Sequence, residues 1–147
     1  VYGSLQKKSR DNARTPMQWD DTETAGFTDG TPWIEVNGNC RQINTLDREN
    51  PDSIFQYYKN LIALRKAYPV IQEGSFVPLL EEDPRILAYR RVLDGQELTV
   101  ACNFFGEETA LPQGLLPETG RVLISNYPQE GKRDGLRPYE AVMVLRG

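Results

Sequence analysis

Histidine is absent from the 147 residues of this chain. Without an imidazole, the chain lacks the usual general base of neutral pH and the middle member of Ser-His-Asp and Cys-His triads. His-ligated metal sites are excluded for the same reason. Any chemistry would depend on carboxylates, lysine, tyrosine or cysteine, and we expect neither a metal site nor a cofactor.

Cysteine is scarce and occurs only at Cys40 and Cys102. Two such distant cysteines lack the spacing of a metal site and are only a weak indication of a disulfide. We therefore expect two reduced thiols in a cytoplasmic protein, with Cys102 buried in a strand.

Long apolar runs and dense basic clusters are also missing. No stretch approaches the roughly 20 apolar residues of a membrane span, and residues 1–8 lack the apolar core of a signal peptide. The net charge is −4, and the densest basic stretch is Lys7-Lys8-Ser9-Arg10, which is too sparse for a nucleic-acid surface. We expect neither a membrane nor a nucleic acid as partner.

Residues 1–50 are polar and irregular, with few large apolar side chains. Such a segment cannot bury enough surface to stand alone, and it is typical of a long functional loop that packs along another body. The chain begins at Val1 rather than Met, which favours a part of a longer protein.

Residues 52–67 are predicted to form a helix. Asn50 can cap it, Pro51 suits the first turn and Pro69 ends the run. Part of its apolar stripe is expected in a core, namely Tyr58, Leu61 and Ile62.

From about Gly74 to Gly147, short apolar runs alternate with turn residues, which predicts an antiparallel β-sandwich. The candidate strands are Ser75–Leu80, Ile86–Val92, Leu98–Phe104, Thr109–Leu111, Arg121–Ile124 and Ala141–Leu145. Leu93-Asp94-Gly95-Gln96 has the chemistry of a hairpin turn. A domain of this size is marginally stable, so we expect it to pack against the helix and a neighbour.

Arg10 and Arg14 flank Asp11-Asn12 in a polar stretch. Arginine can grip a carboxylate and a hydroxyl in one plane, so either could serve a sugar pocket, although a surface ion pair is the commoner role. Trp19 and Trp33 could stack on sugar rings, but packing at an interface is the interpretation we favour.

Neighbouring carboxylates occur at Asp20-Asp21, Glu81-Glu82-Asp83 and Glu107-Glu108. Glycoside hydrolysis needs two carboxyl groups facing each other across a pocket. Adjacent residues on exposed turns do not supply that arrangement, so we expect no catalytic residue in this chain.

Several blocks of sequence together carry a resemblance that covers essentially the whole chain. They are Ser9-Arg10-Asp11-Asn12-Ala13-Arg14-Thr15-Pro16-Met17-Gln18-Trp19-Asp20-Asp21, Ala25-Gly26-Phe27-Thr28, Pro32-Trp33-Ile34-Glu35-Val36-Asn37, Gln42-Ile43-Asn44, Asp52-Ser53-Ile54-Phe55, Leu61-Ile62-Ala63-Leu64-Arg65-Lys66 and Leu136-Arg137-Pro138-Tyr139-Glu140-Ala141. With them the chain resembles the C-terminal part of alpha-glucosidases of the alpha-amylase superfamily, glycoside hydrolase family 13. The most similar types are oligo-1,6-glucosidase, dextran glucosidase and trehalose-6-phosphate hydrolase.

The resemblance implies a TIM-type (β/α)8 barrel that carries the active site, followed by an antiparallel sandwich. Residues 1–73 would be the end of the barrel domain, with helix 52–67 as its last helix, and residues 74–147 would be the sandwich. The fold expected for the chain is therefore mainly β, and it would pack on a barrel that is otherwise missing.

The resemblance also implies a retaining mechanism with an Asp nucleophile, a Glu acid and a second Asp, whose sequence segments are not in this chain. It implies that Arg10 reaches the glucose subsite and pairs with an Asp of the barrel. Arg14 is a second substrate-binding candidate, but by the resemblance it is more typical of a residue that stabilises the same segment. The family commonly has Pro and Tyr where this chain has Gly38 and Cys40.

The expected function is the release of terminal alpha-linked glucose, with alpha-1,6 linkages favoured, from short oligosaccharides by the parent protein, with the isolated chain inactive. Fragments of a trehalose-6-phosphate hydrolase or of a sucrose or trehalose isomerase are the alternatives within the family. A non-catalytic carbohydrate-binding module would need exposed, coplanar aromatic side chains. The third class of function considered is an interaction protein related to membrane-anchored transporter subunits.

Overall fold

The computed structural model describes residues 10–128 and 134–147. The chain forms two compact units, Val1–Gln56 and Tyr57–Gly147. The boundary between them falls inside the longest helix, α1, which spans Ile54–Ala67. Nowhere in the described ranges does a helix combine the length and hydropathy needed to cross a bilayer.

The first unit is built mainly of turns. Before α1, its regular elements within the described residues are two 3-10 turns, Arg10–Ala13 and Thr45–Glu49. The second begins where the Asn44 side chain accepts a hydrogen bond from Leu46 N at 3.0 Å, because short polar side chains stabilise the first turn of a helix. From Arg10 onward, the irregular segment expected from the sequence is observed.

Helix α1 begins two residues later than predicted because Ser53, and not Asn50, caps it. The Ser53 hydroxyl accepts a hydrogen bond from Gln56 N at 3.2 Å. Asn50 acts one turn earlier, where its side-chain oxygen accepts from Asp52 N at 3.0 Å. Both are short polar side chains of the kind that satisfy free amides before a helix.

The prediction of a core on α1 is wrong for this chain. All fourteen residues of the helix are described, and none of them is buried. Tyr58 is 65% exposed and Ile62 is 44% exposed, while Leu61 is half-buried. The physical reason is that the described chain does not place a second apolar layer over this stripe.

The second unit contains the β-structure. Its strands are β1 (Ser75–Leu79), β2 (Ile86–Leu93), β3 (Gln96–Asn103), β4 (Thr109–Ala110), β5 (Arg121–Ser125), β6 (Gly135–Leu136) and β7 (Ala141–Arg146). Five of them form an antiparallel sheet in the order β1-β2-β3-β7-β5, and β4 pairs with β6. Each predicted strand is present with ends shifted by at most two residues. Strand β6 and a short helix α2, Val70–Glu73, were not predicted.

The predicted hairpin turn between β2 and β3 is confirmed. Asp94 and Gly95 both have positive φ, +47° and +81°, and Leu93 pairs with Gln96 across the turn. Two positive φ values are the signature of a type I′ turn, whose twist matches that of the strands it joins.

The sheet is apolar on both faces. One face carries a buried cluster made of Ile86, Ala88, Ala101, Leu115, Leu136, Val142 and Val144. The other carries Leu98 and Val100, against which Val70 of α2 packs. Cys102 belongs to this second face but is only half-buried, and both cysteines are free thiols, as expected.

Candidate functional site

The segment with the two candidate arginines begins with the 3-10 turn Arg10–Ala13. The amide of Arg14 closes it by donating a hydrogen bond to Asp11 O at 3.0 Å. The backbone of Arg10 belongs to this turn, whereas its side chain lies outside the described residues. Arg14 is exposed, and no acidic side chain of the described part forms an ion pair with its guanidinium.

Arg14 lines an open groove with a volume of about 590 Å³ in the first unit. The groove is lined by Asp11, Arg14, Thr15, Pro16, Phe27, Pro32, Trp33 and Ile34. Its walls are therefore mostly apolar, with one cation and one carboxylate at the end that holds the 3-10 turn. This combination suits a ligand that presents both C–H surface and hydroxyl groups.

Both tryptophans are exposed in this chain. Trp33 is 100% exposed and Trp19 is 52% exposed. Packing of the indoles on an interface with another part of the protein stays a prediction. Trp33 lines the groove, while Trp19 is anchored by its backbone amide, which donates to Ala25 O at 2.9 Å.

The wall formed by Phe27 is positioned by a tight loop of residues 20–26. Ala25 is fully buried with φ at +51°. The Thr22 hydroxyl accepts from Gly26 N at 3.0 Å and donates to the Asp20 carboxylate at 2.5 Å. These bonds fix the backbone that leads into Phe27.

A second set of hydrogen bonds holds the chain that follows Pro16. Thr45 donates through its amide to Gln18 O at 3.0 Å and through its hydroxyl to Trp19 O at 2.9 Å. Gln18 in turn donates through its side-chain amide to Ile43 O. All three acceptors are backbone carbonyls, and neither donor residue lines the groove. This register therefore does not depend on any rotamer of the groove residues.

The paired carboxylates serve turns. Asp20 accepts from Thr22 N at 2.9 Å, and Asp83 accepts from the amides of Arg85 and Ile86 at 2.8 and 3.1 Å. Within residues 10–128 and 134–147, no group of three or more Cys, Asp or Glu side chains could hold a metal ion.

Among the described residues, three groups have shifted pKa values, and all three lie in the second unit. Burial raises the pKa of the Cys102 thiol. Burial also raises the pKa of Tyr57 and Tyr89, and the nearby Cys102 thiol raises both further. All three shifts move the groups away from neutral pH, so none of them makes a general acid or base for glycoside hydrolysis.

Sequence reasoning did not identify Phe27, Ile34 and Asp11 as neighbours of Arg14. All three lie in the sequence blocks quoted above, which could have identified them as candidates. Their meeting in one groove depends on the turns at residues 10–13 and 20–26, and turns of this kind have no periodic signal.

The sequence profile described as alpha amylase, catalytic domain, matches residues 2–74. The chain is 47% identical over 152 aligned positions to the oligo-1,6-glucosidase of Halalkalibacterium halodurans, with 99% of this chain and 27% of the relative covered. The crystal structure of Bacillus licheniformis trehalose-6-phosphate hydrolase matches with a TM-score of 0.85 and 44% identity, covering 96% of this chain and 27% of that chain.

A trehalulose synthase mutant matches with a TM-score of 0.86 and 31% identity, covering 99% of this chain and 28% of that one. The chain thus spans little more than a quarter of the length of the relatives it matches.

Proposed function

Because this chain belongs to the alpha-amylase family, glycoside hydrolase family 13, we propose that it is the C-terminal part of a retaining alpha-glucosidase. The parent protein would be a cytoplasmic enzyme that removes terminal alpha-linked glucose, favouring alpha-1,6 linkages, from short oligosaccharides. The observation that carries this proposal is the 47% identity to an oligo-1,6-glucosidase across 99% of the chain.

The proposal divides the chain at residues 73 and 74. Residues 1–73 are the end of the barrel domain, and residues 74–147 are a C-terminal β-sandwich that packs on the rest of the barrel. The end of the catalytic-domain match at residue 74 supports this division, as does the start of β1 at Ser75. The catalytic carboxylates belong to segments outside this chain.

Within this chain, the proposal assigns substrate contact to Arg10, which pairs with an Asp of the barrel at the bottom of the glucose subsite. A guanidinium stays charged at any working pH and can bind a carboxylate and a sugar hydroxyl together. Arg14 is the second candidate, supported by its exposure beside the apolar groove. Neither arginine exchanges protons in the reaction, so both act by orienting substrate.

A trehalose-6-phosphate hydrolase is the second candidate, because 44% identity to that structure is close to the 47% found for the oligo-1,6-glucosidase. A sucrose or trehalose isomerase is a third, with less support at 31% identity to trehalulose synthase. The candidates differ in the second half of the substrate: a sugar phosphate needs a cluster of cations that a neutral sugar does not.

The test is glucose release by the full-length protein from isomaltose, maltose and trehalose-6-phosphate, with the isolated chain assayed beside it. We expect the full-length protein to prefer isomaltose and the isolated chain to be inactive. Preference for trehalose-6-phosphate would select the second candidate, and activity of the isolated chain would overturn the assignment of the catalytic carboxylates.

The role of Arg10 is tested by Arg10→Ala in the full-length protein, with Arg41→Ala, an exposed arginine of the same unit, as matched control. Loss of a substrate-positioning contact typically lowers activity by about 100-fold. We expect a decrease of that order in kcat/KM for Arg10→Ala and none for Arg41→Ala. Equal activity of the two variants would remove Arg10 from the site.

A further inference from the structure

The turn at Asn37-Gly38-Asn39-Cys40 holds an asparagine in a reactive setting. Asn37 and Gly38 are both exposed. The Asn37 side-chain oxygen accepts a hydrogen bond from Asn39 N at 3.3 Å, and its main-chain oxygen accepts from Cys40 N at 3.1 Å. A Cβ built on Gly38 would meet nothing within 4 Å.

We propose that Asn37 is a site of spontaneous deamidation through a succinimide. The deprotonated amide nitrogen of Gly38 adds to Cγ of Asn37, a new C–N bond forms, and the side-chain nitrogen leaves as ammonia. Water then opens the ring at either carbonyl, which gives aspartate or isoaspartate. Water is the only co-reactant, and no atom is oxidised or reduced.

Two features of Gly38 make its nitrogen available as the nucleophile. No acceptor among the described residues takes a hydrogen bond from Gly38 N, so no bond must break before the amide adds. The absence of a side chain leaves the backbone free to rotate towards the ring-closing geometry, and the open space around the residue allows it.

The amide of Asn39 activates the electrophile of the same reaction, which is Cγ of Asn37. When Gly38 N adds to Cγ, negative charge develops on the Asn37 side-chain oxygen. The N–H of Asn39 already points at that oxygen from 3.3 Å, and a donor aimed at a developing oxyanion lowers the barrier. The turn therefore brings nucleophile and oxyanion donor to one side chain.

Asn44 provides an internal comparison, because its side chain also accepts from the amide two residues further on. Its side-chain oxygen accepts from Leu46 N at 3.0 Å. However, the nucleophile of this pair, Thr45 N, already donates to Gln18 O at 3.0 Å. The leaving group is held as well, because the side-chain nitrogen of Asn44 donates to Cys40 O at 2.8 Å.

Asn50 provides a second comparison. Its side-chain oxygen accepts from Asp52 N at 3.0 Å, but the next residue is Pro51, which has no N–H to lose. Asn103 has the same local hydrogen bond, from Phe105 N at 3.0 Å, but the following amide, Phe104 N, donates to Arg85 O at 3.4 Å. Among these four asparagines, Asn37 alone combines the bond with a free and unhindered nucleophile.

The modification would alter the turn that positions a buried thiol. Cys40 is 7% exposed, and its sulfur lies 3.7 Å from Thr22 O. Aspartate at position 37 adds a negative charge to this turn. Isoaspartate also adds a backbone atom between Asn37 and Gly38, which lengthens the turn closed by the Cys40 amide.

The experiment incubates the full-length protein at mildly alkaline pH in water enriched with heavy oxygen, followed by trypsin digestion and fragmentation mass spectrometry. Adjacent peptides, residues 15–41, 42–48 and 49–59, contain Asn37, Asn44 and Asn50 respectively. We expect heavy oxygen to enter at Asn37 as a mixture of aspartate and isoaspartate, with Asn44 and Asn50 unchanged. Asn39 shares the first peptide, but its following amide, Cys40 N, is engaged.

Gly38→Ala and Gly38→Pro complete the test, because the alanine hinders ring closure and the proline removes the nucleophile. We expect slower conversion in the first and loss of conversion in the second. The open space at Gly38 makes Gly38→Ala compatible with the fold even if Gly38→Pro does not fold. An intact Asn37 in the unchanged protein, or equal conversion in Gly38→Ala, would overturn the proposal.

Discussion

At the scale of single residues, the first unit depends on Gly26. Its φ is +60°, and a Cβ added there would lie 2.5 Å from a carboxylate oxygen of Asp20. That carboxylate cannot move freely, because Thr22 donates to it through both its amide and its hydroxyl. The loop that leads into Phe27 therefore requires glycine for its conformation and for space.

Gly26→Ala is accordingly expected to lower the free energy of unfolding by about 1–2 kcal/mol, the scale of a left-handed conformation in a residue with a side chain. Gly38→Ala is the matched control, since position 38 is open and its φ lies outside the left-handed region. Urea unfolding of the full-length protein measures both variants. Equal stability of the two would show that the loop relaxes around the methyl group.

Cys102 gives a prediction about pH. Burial raises the pKa of its thiol, whereas a thiol in an unfolded chain ionises near pH ~8.5. As the pH rises through that value, the unfolded state loses a proton that the folded state keeps. The stabilising contribution is therefore complete below the ordinary pKa and is lost as the pH rises towards the folded value.

We expect the free energy of unfolding to fall from neutral to alkaline pH, and Cys102→Ala to flatten the first part of this fall. Tyr57 and Tyr89, whose pKa values are also raised, act with the same sign at higher pH. Urea unfolding at a series of pH values measures the slopes. Identical slopes in the variant and the unchanged protein would contradict the assignment to the thiol.

At the scale of elements, the start of α1 shows how local chemistry is decided. Three residues that could begin or cap a helix precede α1, namely Asn50, Pro51 and Ser53. Asn followed by Pro is a reasonable start by propensity, but the Ser53 hydroxyl is the group that accepts from Gln56 N. The Asn50 side chain is already engaged with Asp52 N in the preceding turn.

Ser53→Ala should therefore destabilise the protein by about 1 kcal/mol, the usual effect of removing a cap. Ser53→Thr keeps the acceptor oxygen and should restore most of the stability. Thermal unfolding of the two variants distinguishes them. If alanine and threonine behave alike, the hydroxyl does not act as the cap.

Sequence patterns predict the sheet of the second unit well, because its strands are bounded by turn residues that have few other uses. Asp94-Gly95 fixed the β2–β3 hairpin through backbone conformation alone. Strand β6 has only two residues and shows no alternation, so it has no period to detect. Pro69 follows the end of α1 at Ala67, as predicted, and also begins α2, which the sequence did not indicate.

The site is less accessible to prediction from sequence than the sheet. Arg14 and Trp33 are recognisable as chemical types, but their meeting with Phe27 in one groove follows from irregular turns. The proposed partner of Arg10 lies outside this chain, so no pattern within the chain fixes what its guanidinium contacts.

At the scale of the whole molecule, contacts within this chain do not explain why α1 has an exposed apolar face. Its exposed large apolar residues are Ile54, Phe55, Tyr58 and Ile62. An isolated helix of fourteen residues is marginal in water, and most helices in proteins are stabilised by burying one face. An apolar stripe left in water is therefore typical of a surface that another part of the protein covers.

If the rest of the barrel covers this stripe, as the proposed function requires, polar substitutions there will matter in the full-length protein although the positions are exposed here. Burial of a large apolar side chain contributes about 1.5–3 kcal/mol, so Tyr58→Ser and Ile62→Ser should each lower the free energy of unfolding by an amount of that order. Lys59→Ser, on the same helix and also exposed, should change it by less than about 0.5 kcal/mol.

The comparison is informative because all three substitutions are in the same helix and introduce the same residue. Helix propensity alone would make Lys59→Ser the most costly of the three, because lysine is a better helix former than tyrosine or isoleucine. Urea unfolding of the full-length variants gives the three values. Equal and small effects would mean that the stripe stays in water in the parent protein, and α1 would then not be the last helix of a barrel.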